Sequence, residues 1–139
     1  MTDVHALRSA TEAAHAVRTK AVSPSELMDH YLEQVDRLNP QLNAFAFRDD
    51  DRARADAAAA TALVSKVSAD ELPPFHGVPM PIKDLDDVAG WPTTYGSRGT
   101  PDAPADADVP EVARLRGAGF VFMGKTTTPE FGTVSMTES

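Results

Sequence analysis

The chain has 139 residues, of which 42% are hydrophobic and 24% charged, a composition typical of one soluble globular unit. Its 13 basic and 21 acidic residues give a net charge of −8, which argues against nucleic acid as a partner because a basic surface is missing. The absence of cysteine excludes disulfides and thiolate metal sites. The first residues alternate polar and apolar types, so we expect neither a secretory signal nor a membrane span, and a cytoplasmic location.

Apolar residues near the start recur at about helical spacing and predict a first amphipathic helix that ends before Ser23. These residues are Val4, Leu7, Ala14, Val17 and Ala21.

A capping box at Ser23-Pro24-Ser25-Glu26, with proline at the first helical position, predicts that a second helix begins there. We expect Asn39-Pro40 to stop this helix, because proline disfavours helical backbone before it. One apolar stripe is predicted along it, formed by Leu27, Tyr31, Leu32, Val35 and Leu38.

Residues 42–47 alternate large and small side chains and predict a short strand or an extended connector. A helix is predicted from Asp50 to Val64, in an alanine-rich segment. Residues 76–85 then predict an extended run that ends at Lys83. Because Pro79 and Pro81 cannot donate a backbone hydrogen bond, this strand should lie at an edge or be only partly paired.

Residues 84–110 are rich in Gly, Pro, Thr, Ser and Asp and predict a loop of the kind that carries function. Residues 108–111 form a second possible capping box, opening a helix that Gly117 or Gly119 can close. Residues 120–123 are continuously apolar, which predicts a strand buried on both faces. Helix, glycine and buried strand together are half of an α/β unit.

Residues 119–126 match the phosphate-loop pattern G-x-x-x-x-G-K-T, but their context argues against a nucleotide site. In a phosphate loop the middle four residues present backbone N–H groups, and a helix follows the lysine. Here the middle four are predicted to be the strand itself, and Pro129 and Gly132 interrupt any following helix.

No metal site or cofactor is predicted. Asp84, Asp86 and Asp87 lack the spacing of a calcium loop, so we interpret them as a solvated acidic loop. The four histidines show no metal-ligand spacing and are interpreted as solvated surface residues; they are His5, His15, His30 and His76.

Lys83 allows two interpretations. A lysine beside Asp84 at a strand end is most often half of a surface ion pair. The alternative is a buried catalytic lysine, which would need desolvation or a neighbouring cation to lose its proton near neutral pH. Strand alternation should point Asp84 to the face opposite Lys83, so the carboxylate need not keep the lysine charged.

The second half of the chain carries a series of short segments in a fixed order: 77–84 (GVPMPIKD), 88–90 (VAG), 93–94 (TT), 96–97 (GS), 113–116 (ARLR), 124–126 (GKT) and 129–132 (PEFG). In order and spacing they closely resemble the amidase-signature family, and the first half resembles it more loosely. The resemblance implies an α/β fold, an α/β/α sandwich with a mixed sheet. Residues 1–139 would form a single unit, the N-terminal portion that supplies the first helices and strands.

The resemblance also implies a chemistry, in which Lys83 is the lysine of a serine, cis-serine, lysine triad. Such enzymes hydrolyse a small-molecule carboxylic amide to an acid and ammonia or an amine through an acyl-enzyme, without metal or cofactor. The glycine- and serine-rich segment that holds both serines does not occur in these residues, so the isolated chain should be inactive. Ser97, Ser135 and Ser139 lack the strained, glycine-flanked turn of a nucleophile.

Two other functions stay open. The chain could be a non-catalytic interaction module derived from an amidase, which forms a homo-oligomer or binds a partner through an uncovered sheet. It could also be the amidase subunit of a transamidation complex. Residues 129–132 favour general amidases over such subunits.

Overall fold

The computed structural model describes residue 4 and residues 7–137. The helices are α1 (Ala10–Arg18), α2 (Pro24–Leu42), α3 (Asp50–Val64) and α4 (Pro110–Gly117), and the strands are β1 (Phe45–Phe47), β2 (Pro79–Lys83) and β3 (Val121–Thr126). Short 3₁₀ turns lie at Ala69–Glu71 and Glu130–Gly132. None of the helices in this part of the chain has both the length and the apolar character that crossing a membrane requires.

The sheet is mixed, with strand order β1-β3-β2. β1 runs antiparallel to β3, whereas β2 runs parallel to it with Lys83 beside Thr126. The central strand β3 is buried from Val121 to Lys125, which confirms the prediction of a strand covered on both faces. Within residues 7–137, β2 pairs on one side only, as its two prolines predicted.

Helices cover both faces of this sheet, which confirms the α/β class. On one face, α2 and α3 pack on β3 through Met28, Leu32, Ala53, Ala57, Val121 and Met123. On the other face, α4 and the loop after β2 pack through Ile82, Val88, Trp91, Val112 and Phe122. A third cluster joins α1 to the start of α2. The alternation of Val121, Phe122 and Met123 between the two faces is that of an ordinary strand.

The first helix begins later than predicted. It starts at Ala10, because the Ser9 side chain accepts a hydrogen bond from the backbone N–H of Glu12 and caps the helix. Val4 and Leu7 precede the helix, yet they pack against its apolar face, so their spacing reflected burial rather than helix. α1 ends before Ser23, as expected.

The second helix confirms the capping box and corrects its predicted end. Ser23 is the N-cap and exchanges hydrogen bonds with Glu26. Pro40, expected to stop the helix, instead lies within its last turn, and α2 runs on to Leu42. A proline so near the end removes a single hydrogen bond, and Asn43, in the left-handed conformation, closes the helix by donating to the Asn39 carbonyl at 2.7 Å.

The predicted strand over 42–47 is accordingly only β1, while the helix predicted from Asp50 to Val64 is confirmed. The second capping box is wrong. Val109 is the N-cap of α4, and no side chain of a described residue caps it. Asp108 instead accepts hydrogen bonds from Arg116 and from the backbone N–H of Ala89, so it joins α4 to the preceding loop.

Candidate functional site

The carboxyl ends of the parallel strands β2 and β3 meet at one edge of the sheet. The two loops that leave them are held together there: the N–H of Asp84 donates to the Thr126 carbonyl at 3.0 Å, and the N–H of Phe131 to the Tyr95 carbonyl at 2.8 Å. Open α/β sheets bind their ligands outside the carboxyl ends of the strands. This edge is therefore the candidate site.

Lys83 is the last residue of β2, and its side chain is exposed. Asp84 is 1% exposed and faces the opposite way, as strand alternation predicted. Among the described residues, the Lys83 ammonium makes no hydrogen bond or ion pair. The surface ion pair with Asp84 is therefore wrong, and residues 7–137 do not provide the burial that the other interpretation required. The catalytic role of Lys83 stays a prediction.

Asp84 is paired instead with Lys125, whose side chain is fully buried, across 3.1 Å. Lys125 also donates to the Thr93 hydroxyl at 2.7 Å and to the Pro92 carbonyl at 3.2 Å. The interpretation of Asp84 as part of a solvated acidic loop is thus wrong, although Asp86 and Asp87 are partly exposed. This pair was not predicted from the sequence. The signal for it is a lysine inside a buried strand, which needs a carboxylate partner.

A β-bulge in β3 turns Lys125 toward Asp84. Met80 lies beside Phe122 but Ile82 beside Lys125, so β3 has one extra residue there. The alternation of side chains is thereby reversed after Met123. Lys125 comes to the face of Phe122 and Ile82, where the loop after β2 also lies.

Asp84 also fixes the loop. Its carboxylate accepts hydrogen bonds from both the backbone N–H and the hydroxyl of Thr94. Just beyond, Tyr95 and Phe131 both have positive φ (55° and 51°) and stack with ring centroids 5.9 Å apart. The Ser97 hydroxyl donates to Glu130 at 2.5 Å. The loops after β2 and β3 are thus joined by several contacts. Two of the residues that make them, Tyr95 and Phe131, have a backbone conformation that is rare for non-glycine residues.

The loop after β2 is anchored at its base by Trp91, which is 1% exposed and donates through Nε1 to Asp49 at 3.2 Å. Arg52 lies over its ring at 5.3 Å and donates to the Ala89 carbonyl. Hydrogen bonds from the Arg116 guanidinium lower the pKa of Asp108 below its ordinary value. These contacts attach the loop after β2 to α3 and α4, on the side of the loop away from the ends of the strands.

Among residues 7–137, no group of three or more side chains is arranged to hold a metal ion. His15 is exposed, but His76 corrects the expectation of solvated histidines. It is 7% exposed, and its Nε2 lies 2.9 Å from the Ala60 carbonyl. His30 is partly buried, and His5 lies outside the described residues.

The rejection of a phosphate loop is confirmed, because the segment in question is the strand β3 and the described residues after it contain only the 3₁₀ turn at Glu130–Gly132. Of the serines considered, Ser97 bonds to Glu130 and Ser135 is exposed, whereas Ser139 lies outside the described residues.

Comparison with known proteins identifies the family. The Amidase family model matches residues 26–139. The chain is 42% identical to an acylamidase of Rhodococcus erythropolis over 89% of its own length and 26% of that enzyme. It is 38% identical to a putative amidase of Synechocystis over 99% of its length and 27% of that protein. It thus spans about a quarter of the length of these curated relatives.

Solved structures agree. A 6-aminohexanoate cyclic dimer hydrolase superimposes with a TM-score of 0.77 at 32% identity, over 94% of this chain and 25% of that one. A bacterial aryl acylamidase of the amidase-signature enzymes gives a TM-score of 0.77 at 25% identity, over 89% of this chain and 26% of that one. The chain belongs to the amidase family.

Proposed function

We propose that the protein to which this chain belongs hydrolyses a carboxylic amide, with Lys83 as the base of a serine, cis-serine, lysine triad. The observation that carries the proposal is the placement of Lys83. It ends β2 at the carboxyl edge of the sheet, and its exposed ammonium has no partner among the described residues. A base whose serine partners come from outside these residues should have such an unpaired side chain.

In this mechanism a neutral Lys83 takes a proton, through the bridging serine, from the nucleophilic serine. That serine attacks the amide carbonyl and expels the amine, and water then hydrolyses the acyl-enzyme. Both serines would lie in a glycine- and serine-rich segment, which is absent from residues 1–139. The isolated chain should therefore be catalytically incompetent.

The names of the relatives support a small-molecule amide substrate without defining it. They include an acylamidase, an aryl acylamidase, a 6-aminohexanoate cyclic dimer hydrolase and a peptide amidase. All these names refer to amide bonds, but their acyl and amine groups differ. The proposal is accordingly limited to hydrolysis of a carboxylic amide.

Two variants of Lys83 in the native protein test the proposal. Lys83→Ala removes the base, whereas Lys83→Arg keeps the positive charge on a group that stays protonated at all accessible pH values. Since general-base catalysis contributes about 10²–10⁴-fold, we expect both variants to lower kcat at least about 100-fold. Lys66→Ala, at an exposed lysine beyond α3, is the control and should keep parental activity.

Retention of activity in Lys83→Arg would mean that Lys83 provides a charge rather than a base. Parental activity in Lys83→Ala would remove Lys83 from the mechanism altogether.

A non-catalytic interaction module is the second candidate, and one observation favours it. An open apolar groove runs between α2 and the sheet, lined among others by Tyr31, Val35, Leu42, Pro79 and Met123. Leu42 in this groove is 65% exposed. Under this hypothesis the native protein hydrolyses no amide and self-associates, and Leu42→Asp abolishes the association.

A further inference from the structure

Lys125 and Asp84 form an unusual ion pair. Of the ion pairs between described residues, it alone has both side chains buried, at 0% and 1% exposure. The Arg116–Asp108 pair, for comparison, leaves 38% and 12% of its side chains exposed. An ion pair removed this completely from water must have nearly all of its hydrogen-bonding capacity satisfied to be tolerated.

The pair meets that requirement, and the way it does so defines a network. Lys125 is ion-paired with Asp84 and donates hydrogen bonds to the Thr93 hydroxyl and the Pro92 carbonyl. Asp84 is ion-paired with Lys125 and accepts hydrogen bonds from the backbone N–H and the hydroxyl of Thr94. The network joins β3, the end of β2 and the loop at residues 92–94.

Stability alone is a weak explanation for the presence of this buried ion pair, because apolar residues of similar volume often replace buried ion pairs without loss of stability. Its location suggests another. Asp84 directly follows Lys83, and its backbone N–H is held by the Thr126 carbonyl at 3.0 Å. Both the main chain and the side chain of Asp84 are therefore held in place. Because Lys83 is its direct neighbour, the direction in which the Lys83 side chain leaves the sheet is restricted as well.

We propose that Lys125 is a positioning residue for amide hydrolysis: through Asp84 it fixes the carboxyl end of β2 and thereby the orientation of Lys83. The inference rests on the proposed function. Lys125 is buried within the fold, where it contacts Asp84 and the loop at residues 92–94. Its effect on the reaction is therefore exerted through Asp84.

The test uses the native protein and the double variant Lys125→Met/Asp84→Asn. Lys125→Met alone would leave the buried Asp84 carboxylate without its cationic partner, so a loss of activity in this single variant could reflect misfolding. In the double variant both positions are neutral, and the amide introduced at position 84 can still accept from the Thr94 N–H and donate to the Thr94 hydroxyl. The double variant therefore keeps the hydrogen bonds between position 84 and Thr94. It removes the contacts of Lys125 with position 84, with the Thr93 hydroxyl and with the Pro92 carbonyl. Arg54→Met/Asp29→Asn, at an exposed pair between α2 and α3, is the matched control.

We expect the double variant to fold, with kcat lowered at least about tenfold and KM changed less than about twofold, because a displaced catalytic group slows the reaction without weakening substrate binding. The control should keep both parameters. A folded double variant with parental kcat would overturn the proposal and leave the pair a purely structural role.

A second variant covers the case in which the double variant does not fold. Thr94→Val keeps the ion pair and removes only the hydroxyl donor to Asp84. We expect kcat to fall about threefold or more at unchanged KM, since even a small displacement of a catalytic group slows the reaction. Parental kcat in this variant would contradict the proposal.

Amide hydrogen exchange separates this inference from the proposed function. In a folded double variant the backbone amides of Asp84 and Thr94 should exchange faster than in the parent, whether or not Lys83 is the base. If Lys83→Ala retains activity, the proposed function fails, and the exchange rates still report on the restraint. Unchanged exchange at both amides would overturn the positioning role.

Discussion

Gly124 lies at the bulge that turns Lys125 toward Asp84. Its φ of +143° is one that side chains other than glycine rarely adopt, and a Cβ there would lie 2.6 Å from the Phe47 carbonyl oxygen. Glycine therefore permits the close approach of β1 and the reversal of side-chain alternation in β3 at the same position. One residue without a side chain thus determines where the buried lysine points.

Gly124→Ala should consequently destabilise the fold by about 1–3 kcal/mol from backbone strain alone, before the contact with β1 is counted. Gly117→Ala is the control, because a Cβ at Gly117 would meet no described atom within 4 Å apart from its chain neighbours and the backbone of its own helix. Alanine is also the better helix former by about 1 kcal/mol. Urea unfolding of the 139-residue chain, followed by the fluorescence of its single tryptophan, Trp91, measures both. Equal stabilities of the two variants would contradict this account of Gly124.

How much of the site could be predicted differs between its two lysines. The position of Lys83 at a strand end, facing away from Asp84, followed from local alternation. The partner of Asp84 did not, because Lys125 lies far along the chain and a bulge reverses its face. A pattern of period two cannot predict a bulge.

At the scale of elements, α4 is tied to the loop after β2 through Asp108. This carboxylate accepts from Arg116 near the end of the helix and from the Ala89 N–H in the loop. The lowered pKa of Asp108 means that the folded protein favours the ionised form, chiefly because of hydrogen bonds from Arg116. By linkage, the stabilisation is present above the pKa of the unfolded chain and is lost as the pH falls through the lower folded pKa.

Asp108→Asn should therefore lower the free energy of unfolding by about 1 kcal/mol at pH 7, since the pair is partly exposed. The difference between variant and parent should shrink as the pH falls below about 4, where Asp108 of the unfolded chain takes up a proton, and should vanish below the lower pKa of the folded state. Urea unfolding of both proteins at several pH values measures it. A difference that stays constant down to about pH 2 would show that the charge of Asp108 is not responsible.

Elements with a local signal were predictable. The capping box at Ser23 began α2, and an alanine-rich segment gave α3 with its bounds. The two errors have different causes. α2 continued past Pro40 to a local cap, in which the Asn43 N–H donates to the Asn39 carbonyl. Asp108 was drawn into a tertiary contact, because it bonds to Arg116 and to the loop instead of capping α4. A side chain of a type that caps helices can therefore either cap a helix, as Ser23 does, or bond to another part of the chain, as Asp108 does. The donors that the fold brings near it decide between the two.

At the scale of the whole molecule, the described residues form a three-layer α/β unit whose sheet holds Lys83 at one edge and leaves an apolar groove open beside α2. The chain spans about a quarter of the length of the relatives it matches. Because residues 1–139 contain no glycine- and serine-rich segment, the proposed function has the lysine of the triad in this unit and the two serines outside it.

Trapping of the acyl-enzyme tests this division of the catalytic groups most directly. The native protein and the isolated 139-residue chain would each be mixed briefly with an activated amide or ester, quenched in acid, and mapped by peptide mass spectrometry. We predict an acyl group on a serine outside residues 1–139 in the native protein and none on the isolated chain. An acyl group on Ser97, Ser135 or any other serine of residues 1–139 would contradict the account.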